Sequence, residues 1–548
     1  MSQRASVLSS LAGASVDVLV VGGGINGAVA AAALQARGVK VALVDRGDFA
    51  GVTSSSSSYL AWGGIKYLES YEFGLVRKLC VSRNHLLRAM PSQVKETRFF
   101  VSLEPGFRHG RWFLYAGALF YWVIGNLFTR RPRLLSRSTI QAEEPVVDVA
   151  RSVGGFEYSD AILPDLDARF VWTFVRRALQ HGCLAANYVE SLGAIWQDDR
   201  WHVRLADRRS GQQFTVTARA LVNAAGPWVD DHNTRTATTT KHRHVFSKGI
   251  HLIVPRVTPH ERVLTFFADD GRLFFVIPMG DRTCVGTTDT RVPSPDAHVT
   301  DEDRAFVLDN INKRLRLPRP LSPADVIGER CGVRPLVVAA DQGGQNRDWF
   351  QLSRKHVLDV DDSRRHVSVF GGKLTDCVNI GEEITRTVQR LGLGVPAPRA
   401  PWYGEPGDDV RARYASRAAA LGLGSLDGDG PESLAARLWR RYGDDAALLL
   451  DEIEREPLAR EPALPGAPDL RCEVAYAGRK EMVTTLEDYL RRRTSLLLTL
   501  GRPQLLALPA LRDICGLLFG ADADARFLEF AATDAAGVTV ERVPAVAS

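Results

Sequence analysis

The chain has 548 residues, of which 45% are hydrophobic and 24% charged, and its formal net charge is +5. This composition excludes a disordered or fibrous protein, and a mean hydropathy of −0.10 excludes a polytopic membrane protein. A chain of this length is expected to form two or three domains. The mild positive charge favours an anionic small molecule or an anionic membrane surface, and we predict no nucleic-acid partner.

The seven cysteines are far apart in the sequence and include no CxxC pair. This spacing indicates neither a disulfide framework nor a zinc site, and it fits a reducing compartment. We therefore predict no metal and a cytoplasmic location. The first apolar run leads directly into glycines instead of a cleavage site, so no signal peptide is expected.

Residues 17–48 are predicted to form one βαβ unit, with an apolar strand, a glycine turn, an alanine-rich helix and a second strand. Gly22, Gly24 and Gly27 form a GxGxxG pattern, which permits a tight turn, close approach of a diphosphate and close helix packing. Asp45 ends the second strand at the spacing expected for a ribose-binding carboxylate. The pattern predicts a dinucleotide site, with glycines arranged by chance as the alternative.

Two further segments favour FAD over NAD as the dinucleotide. Thr53, Ser54 and Ser55 follow the second strand and are predicted as additional diphosphate ligands, although a low-complexity loop is an alternative. Far downstream, Gly371 and Gly372 precede another helix. The N–H groups at the start of that helix are predicted to face the pyrimidine end of a flavin.

Residues 112–128 carry no charge and are rich in aromatic side chains. Basic flanks with Trp and Tyr are typical of a segment in a membrane surface, so we predict peripheral association with the cytoplasmic membrane. A buried core helix is one alternative, and a true span is another, although the segment is at the lower limit for a span. The flanking arginines are Arg108, Arg111, Arg130, Arg131 and Arg133.

Strand, turn and helix patterns recur after the first βαβ unit, and the fold class is predicted to be α/β. We predict a discontinuous FAD-binding domain, which is Rossmann-like and of the glutathione-reductase/amino-acid-oxidase type, a β-sheet substrate domain and a C-terminal helical domain. The ranges are 1–94, 161–240 and 326–395 for the first domain, 95–160 and 241–325 for the second, and 396–548 for the third.

Five segments resemble, in the same order along the chain, the signature segments of the FAD-dependent glycerol-3-phosphate dehydrogenases of the aerobic, quinone-linked type. They are TSSSSSYLAWGGIKYLESYEFGLV, KGIHLIVPR, FFVIPMGDRTCVGTTDT, GVRPLV and FGGKLT. EVAYAGRKEMVTTLEDYLRRRT also resembles the C-terminal helical domain of that family. The resemblance implies FAD as the cofactor, sn-glycerol 3-phosphate as the substrate and the membrane quinone pool as the electron acceptor.

The resemblance also implies that basic residues hold the substrate over the flavin with a histidine nearby. Clustered Arg and Lys donors suit a phosphomonoester, and His251 is the candidate base because histidine titrates near neutral pH. The predicted catalytic residues are His251, Arg334 and Lys373. The predicted substrate-binding residues are Lys66, Tyr67, Thr288, Arg334 and Lys373. The predicted cofactor-binding residues are Gly22, Gly24, Ile25, Asn26, Gly27, Asp45, Arg46, Thr53, Ser54, Ser55, Ser57, Trp62, Gly63, Gly64, Val189, Ala225, Gly226, Trp228, Gly371, Gly372, Lys373, Leu374 and Thr375.

The chain departs from the family pattern near the predicted substrate. KLIHGGLRYLE of the family is YLAWGGIKYLE here, so Tyr59, Trp62 and Lys66 replace a lysine, a histidine and an arginine. FGGKLTTYR is FGGKLTDCV, which places Asp376 beside the basic cluster. Because Lys and Arg are not interchangeable at a phosphate site, the departures leave the exact substrate open.

Several alternatives stay open at the level of the sequence. Arg334 and Lys373 are also explained as paired surface cations, His251 as a core histidine and Lys66 as a helix-face charge. The functional alternatives are an FAD-dependent oxidoreductase or oxidase of the same architecture that acts on another small anionic hydroxy acid or amine, and a non-catalytic flavin-binding sensor. A homodimer is an open alternative to a monomer.

Overall fold

The computed structural model describes residues 3–107, 109–341, 355–428 and 430–533, so Arg108 of the predicted basic flank lies outside the described residues. The chain divides into two compact units, one of residues 6–405 and one formed mainly by the described residues from 406 onward. Both β-sheets belong to the first unit.

The described strands are, in chain order, β1 (Ser15–Val21), β2 (Val41–Val44), β3 (Leu60–Ala61), β4 (Lys95–Ser102), β5 (Arg133–Leu135), β6 (Gly155–Ile162), β7 (Leu184–Ala186), β8 (Val189–Gln197), β9 (Arg200–Asp207), β10 (Gln213–Asn223), β11 (His242–Pro255), β12 (Val263–Phe267), β13 (Leu273–Met279), β14 (Arg282–Gly286), β15 (Thr290–Val292), β16 (Gly328–Ala339), β17 (Val357–Asp361) and β18 (His366–Phe370).

The described α-helices are, in chain order, α1 (Gln3–Leu11), α2 (Ile25–Gln35), α3 (Phe73–Ala89), α4 (Arg111–Ile124), α5 (Arg137–Glu143), α6 (Asp167–Gln180), α7 (Val229–Arg235), α8 (Asp301–Arg314), α9 (Cys377–Arg390), α10 (Asp408–Ala420), α11 (Leu434–Tyr442), α12 (Ala446–Arg455), α13 (Arg471–Lys480), α14 (Leu496–Thr499), α15 (Arg502–Ala507), α16 (Ala510–Phe519) and α17 (Ala523–Ala532).

The first sheet is mainly parallel. Its strands lie in the order β17-β18-β10-β1-β2-β7, with β17 antiparallel to β18, while β9 and β8 extend from β10 as an antiparallel hairpin. Strands β1 and β2 are almost entirely apolar and buried, as is usual for parallel strands that are covered on both faces. Helix α2 packs against α6 and α9. The predicted α/β class is confirmed.

The second sheet has the order β15-β11-β14-β13-β12-β4-β6-β3, with β16 paired to β11 and β5 to β6. The pairing is antiparallel apart from β12 beside β4. Strand β16 pairs with β11 along its whole length, so the predicted FAD-binding stretch 326–395 contributes to both sheets. This long register fixes which side chains of the two strands lie side by side.

The second unit is helical, as predicted for the C-terminal region. Its apolar core contains Leu438, Leu450, Leu490 and Ile514 among other buried side chains. Among the described residues, no helix combines the length and the apolar character that crossing a membrane requires.

Helix α4 lies in the segment that we predicted to contact a membrane. Its inner face buries Ala118 and Tyr121, whereas Trp112, Phe113 and Val123 are 63%, 65% and 56% exposed. A fully buried core helix does not present aromatic side chains to solvent in this way. The helix therefore has one apolar face packed on the protein and another that is open.

Candidate active site

The first glycine turn has the geometry that the GxGxxG pattern predicts. Gly22 has a φ of +102°, and a Cβ atom there would lie 2.4 Å from the carbonyl oxygen of Ala224. A Cβ atom on Gly27 would lie 1.8 Å from the carbonyl oxygen of Gly22. Helix α2 therefore packs directly on the turn, and Gly24 precedes its first residue. The partial positive charge of this helix start faces the place predicted for the diphosphate.

Asp45 lies at the end of β2, where the sequence predicts the ribose ligand. Its carboxylate accepts hydrogen bonds from the N–H groups of Gly23 at 2.7 Å and Gly47 at 2.8 Å. Burial raises the pKa of Asp45 to about 6, although both hydrogen bonds oppose the rise. The neighbouring Arg46 guanidinium stacks on the ring of Trp228 at 3.9 Å. Two predicted cofactor-binding residues, Arg46 and Trp228, are thus in contact.

Three other predicted residues border this edge of the first sheet. The N–H of Val189 donates to the carbonyl oxygen of Asp45 at 2.7 Å. The N–H of Ala225 donates to the side-chain oxygen of Asn223 at 3.2 Å, and Gly226 has a positive φ of +59°. The tertiary fold brings the ends of β2, β8 and β10 together, as a dinucleotide-binding crevice requires.

Asn26 connects the two glycine turns of the predicted FAD site. Its side-chain nitrogen donates to the carbonyl oxygen of Gly371 at 2.8 Å, although the two residues are 345 positions apart. A Cβ atom on Gly372 would lie 2.8 Å from Oδ1 of Asn26. That oxygen is buried and has no hydrogen-bond partner within the described part of the chain. A buried acceptor left over between two glycine turns fits a bound polar cofactor.

The predicted hydroxyl ligands differ in orientation. Oγ of Ser54 accepts a hydrogen bond from the N–H of Ile25 at 3.0 Å, so it lies at the start of α2. The hydroxyls of Thr53 and Ser55 instead donate to backbone carbonyls at 2.8 and 3.1 Å. The backbone N–H of Ser57 donates to a buried carboxylate at 2.8 Å. Among these three hydroxyls, that of Ser54 is therefore the one that contacts the start of α2.

The loop at residues 62–64 contacts the downstream glycine segment. The carbonyl oxygen of Trp62 accepts a hydrogen bond from the hydroxyl of Thr375 at 3.1 Å. Gly64 has a φ of +81°, and the N–H of Gly63 is held by a buried carboxylate. Leu374 begins the short turn that leads into α9. Predicted flavin residues from both ends of the first unit are thus in contact.

The candidate base and the candidate phosphate ligand lie on one face of the second sheet. Ser247, Gly249 and His251 alternate along β11, so they share that face. Arg334 on β16 is opposite Ser247, and its guanidinium lies over Gly249, where a Cβ atom would be 2.2 Å from Nη2. Residues two apart on a strand lie about 6.6 Å from each other, so the guanidinium over Gly249 and the imidazole of His251 occupy neighbouring positions on this face.

His251 is buried, and its Nε2 lies 2.9 Å from Oγ of Ser58. Within the described residues, its Nδ1 is buried and has no hydrogen-bond partner. Burial lowers the pKa of His251 well below its usual value of 6.5, and Arg330 and Arg334 lower it further. The imidazole is therefore neutral at pH 7 and able to accept a proton.

Arg330 and Ser58 are site residues that sequence reasoning missed. The Arg330 guanidinium is buried, donates to Asp167 at 2.7 Å and stacks over the ring of Tyr59 at 4.0 Å. Arg330 is also opposite His251 in the register of β11 and β16. Ser58 belongs to the serine run, which was the available signal. Nothing local in the sequence pairs Arg330 with a carboxylate 163 positions away.

Arg334 is held by the loop that follows β14. Its guanidinium donates to the carbonyl oxygen of Thr288 at 3.2 Å and to the hydroxyl of Thr287 at 3.1 Å, and Asp289 is 3.7 Å away. The hydroxyl of Thr288 accepts a hydrogen bond from the N–H of Ile250 at 3.1 Å. The side chain of Arg334 is 26% exposed, so it is positioned but still accessible to an anion.

A row of rings connects Lys373 with the His251 strand. The Lys373 ammonium lies 3.8 Å from the ring centroid of Tyr67, and Tyr67 is 6.1 Å from the ring of Trp62. Trp62 is 6.4 Å from Phe275, which pairs with the glycine opposite His251. Lys66 is half-buried on the same short turn as Tyr67. Lys373 and Tyr67, two of the predicted substrate residues, are thus in contact, and rings connect them with the strands that carry His251.

Asp376 is balanced by partners that the sequence did not indicate. It is buried and accepts hydrogen bonds from Lys78 at 3.0 Å and His356 at 3.2 Å. Burial would raise the pKa of Asp376, but hydrogen bonds from His356, Asn379 and Lys78 lower it to about 2. Asp376, Lys78 and His356 line, together with Lys373, a cavity of about 560 Å³. Lys78 and His356 thus compensate the negative charge of Asp376.

Comparison with known proteins agrees with this geometry. Residues 17–358 match the model of the FAD-dependent oxidoreductases, and residues 407–526 match that of the C-terminal domain of alpha-glycerophosphate oxidase. A glycerol-3-phosphate dehydrogenase of Pseudomonas aeruginosa is 33% identical over 510 residues, which cover 89% of this chain and 93% of the relative. A D-erythritol 1-phosphate dehydrogenase of Brucella abortus is 31% identical and covers 87% of this chain and 94% of the relative.

A solved structure, the glycerol-3-phosphate dehydrogenase of Bacillus halodurans complexed with FAD, has the same fold. Its TM-score is 0.71 at 24% identity, and the match covers 97% of this chain and 96% of that one. The resemblance seen in the sequence is confirmed, as is the prediction of an FAD enzyme. The chain belongs to the FAD-dependent oxidoreductase family and carries, after its FAD-binding region, the C-terminal domain found in alpha-glycerophosphate oxidase.

Proposed function

We propose that this enzyme oxidises sn-glycerol 3-phosphate to dihydroxyacetone phosphate and passes the electrons to a membrane quinone. The observation that carries the proposal is that His251 of β11 and the guanidinium of Arg334, which extends from β16 over Gly249, lie on one face of the second sheet. This arrangement suits a substrate in which the reacting hydroxyl is on the carbon next to the one that bears the phosphate, as in glycerol 3-phosphate. Relatives named glycerol-3-phosphate dehydrogenase at 31–33% identity support the choice of substrate.

In this proposal the protein aligns the substrate and accepts one proton. The guanidinium of Arg334 and the ammonium of Lys373 bind the phosphate, because clustered cations with several donors suit a nearly dianionic group. His251 takes the hydroxyl proton, and the contact of its Nε2 with the Ser58 hydroxyl at 2.9 Å orients the imidazole. Bound FAD supplies the hydride acceptor at N5.

The cofactor is proposed to lie along the residues that the fold brings together. The start of α2 and Ser54 face the diphosphate, and Asp45 faces the adenosine ribose. Asn26 and the turn at Gly371 and Gly372 are proposed to border the flavin end. The buried, unpaired Oδ1 of Asn26 supports a polar cofactor group at that point.

Anaerobic mixing with glycerol 3-phosphate is expected to bleach the flavin of the purified enzyme. The protein should be yellow and should release FAD, not FMN, on denaturation, because the GxGxxG turn and Asp45 need the ADP half of the cofactor. Absorbance of the flavin band against time gives the reduction rate. Unphosphorylated glycerol is the matched control, since it lacks the group that Arg334 binds. Flavin that stays oxidised with glycerol 3-phosphate would show that the substrate assignment is wrong.

A second candidate substrate is a longer polyol phosphate such as D-erythritol 1-phosphate. It is favoured by a relative of that name at 31% identity, whereas the departures at Trp62, Lys66 and Asp376 leave the substrate open. The same stopped-flow measurement with both phosphates decides between them. Faster bleaching by the four-carbon phosphate would favour the second candidate.

We also propose that α4 attaches the enzyme peripherally to the cytoplasmic membrane, where it meets the quinone. Trp112, Phe113, Val123 and Leu127 present more than half of their surface to solvent. The exposed ring of Phe120 lies edge-on to Phe73 of α3 at 5.6 Å, so the apolar surface continues onto the next helix. Apolar side chains with arginines nearby are typical of a helix lying in a membrane surface.

Replacing Trp112 and Phe113 together with glutamate is expected to release the enzyme from membranes. Burying one such side chain is worth roughly 1.5–3 kcal/mol, so losing two should lower membrane partitioning by at least about 100-fold. Vesicle flotation measures the partitioning, and flavin content confirms the fold. Ile195→Glu is the matched control, because Ile195 is 63% exposed on β8, away from α4. Equal release by both variants would contradict the proposal.

A further inference from the structure

A buried polar cluster lies between α3, α4 and β6, directly behind the loop at residues 62–64. Asp160 on β6 has no exposed surface, and Arg83 on α3 and Tyr121 on α4 are 1% and 2% exposed. Arg83 donates to Asp160 at 3.2 Å, and the Tyr121 hydroxyl donates to it at 2.6 Å. Burying a carboxylate is costly unless it is paired in this way.

The cluster holds the backbone of the loop. The N–H of Gly63 donates to both carboxylate oxygens of Asp160, at 3.0 and 3.1 Å. A Cβ atom on Gly63 would lie 2.1 Å from the Tyr121 hydroxyl, so the loop is in close contact with α4. The indole of Trp62 donates to the hydroxyl of Tyr158 at 3.3 Å, which adds a second attachment on β6.

The loop in turn carries the side chains that face the site. Trp62 and Tyr67 form the row of rings between Phe275 and Lys373, and the Lys373 ammonium is 3.8 Å from the Tyr67 ring centroid. A shift of the Gly63 backbone therefore moves an aromatic wall of the site and the support of a proposed phosphate ligand.

We propose that Asp160, fixed by Arg83 and Tyr121, is a positioning residue for the oxidation, because it sets the loop at residues 62–64 against flavin and substrate. None of the three side chains is expected to touch the reacting atoms. The proposal rests on the proposed placement of the flavin beside this loop. Helix α4 then has two roles in these proposals. Its outer face is the exposed apolar surface, and its inner face supplies Tyr121 to the buried cluster.

Burial raises the pKa of Asp160, and the adjacent Arg83 guanidinium and the hydrogen bonds from Tyr121 and Gly63 oppose that rise. Removing one of these donors therefore weakens the hold on the carboxylate without removing the carboxylate itself. For this reason Tyr121→Phe is the informative variant. Asp160→Ala is avoided, because it would leave the Arg83 guanidinium buried without its partner.

The experiment compares Tyr121→Phe with Tyr115→Phe in the FAD-loaded enzyme. Tyr115 is on the same helix, and its hydroxyl donates to a backbone carbonyl at 3.4 Å, away from Asp160. We expect Tyr121→Phe alone to speed deuterium exchange in peptides covering residues 59–68 and to shift the flavin absorption band. Because misplacement of reacting groups is costly, flavin reduction at saturating substrate should slow by roughly 10- to 100-fold. The substrate concentration at half-saturation should rise less than the reduction rate falls, since Arg334 is held by residues 287–289 and not by this loop.

The outcomes separate positioning from a merely structural role. If Tyr121→Phe lowers only the melting temperature, with loop exchange, flavin spectrum and reduction rate equal to those of Tyr115→Phe, the proposal is wrong. Asp160→Asn keeps one oxygen that can accept a hydrogen bond from the N–H of Gly63. Adding Tyr121→Phe to Asp160→Asn should increase deuterium exchange of the loop little further, because both substitutions act through the same contact. Fully additive effects would contradict the proposal. Exchange and spectrum do not depend on substrate identity, so a wrong substrate appears separately, in the wild type.

Discussion

His251→Ala is expected to lower kcat/KM for glycerol 3-phosphate by roughly 10²- to 10⁴-fold, which is the usual contribution of a general base. The imidazole is the proton acceptor proposed for the substrate hydroxyl, and burial with two nearby guanidinium groups keeps it neutral. The rate of anaerobic flavin reduction measures the effect. Added imidazole should restore part of that rate, because the substitution leaves a space of its shape beside Ser58.

The pH dependence follows from the direction of the pKa shift. Because the pKa of His251 is lowered well below 6.5, the base form persists below neutral pH, and kcat/KM should fall on the acid side only well below pH 6.5. The same shift makes a contribution to folding stability that is fully present above pH 6.5. That contribution is lost as the pH falls from 6.5 toward the lowered pKa, since the unfolded chain binds the proton first.

His232→Ala is the matched control for this variant. His232 is also buried and lies 2.9 Å from a serine hydroxyl, that of Ser191, but it is on α7 and outside the row of substrate residues. Both substitutions remove a buried imidazole of similar surroundings. Equal losses of kcat/KM in the two variants would mean that His251 acts through folding and not as the base.

Arg334→Ala should lower kcat/KM for glycerol 3-phosphate by about one to two powers of ten, because a hydrogen bond to a charged group is worth roughly 1.5–3 kcal/mol. Turnover of unphosphorylated glycerol should change far less, since that substrate lacks the anion. If Arg334 binds the substrate and the transition state equally, its loss should raise KM alone. If its loss also misplaces the substrate over the flavin, kcat should fall as well. Steady-state kinetics with both substrates measures the difference.

Arg282→Ala is the control for Arg334, because Arg282 is an arginine of the same sheet that pairs with exposed Asp281 at 2.8 Å. Arg282→Ala should leave the ratio of kcat/KM for glycerol 3-phosphate to kcat/KM for glycerol unchanged. Because the guanidinium of Arg334 packs over Gly249, its removal also leaves a gap, and Arg334→Met fills part of that gap without the charge. If the phosphate preference survives in Arg334→Met, the phosphate is bound elsewhere.

The cofactor half of the site is encoded in short stretches of sequence. Gly22, Gly24 and Gly27 could be identified from the GxGxxG pattern, and the structure leaves no room for a side chain at Gly22 or Gly27. Gly371 and Gly372 were found for the same reason, and Asp45 by its fixed distance from the first turn. The conformation of such a turn depends mainly on residues close to it in the sequence, so a short sequence motif is enough to predict it.

The substrate half was predicted only through the resemblance. Lys66, Arg334, Lys373 and His251 are ordinary polar residues in their local context. The sequence positions of Gly249 and Arg334 do not show that the Arg334 guanidinium lies over Gly249, two residues from His251. That relation depends on the register of β11 against β16, which is set by pairing over the whole of both strands.

The sequence by itself thus determined the α/β class, the family, FAD as the cofactor and the helical C-terminal region. Only the tertiary structure decided the partners of the buried charges, which are Arg330 with Asp167, Asp376 with Lys78 and His356, and Asp160 with Arg83 and Tyr121. The physical reason is that burial makes an unpaired charge costly but does not specify which distant residue compensates it. That choice is made when packing brings helices and strands from separate parts of the chain together.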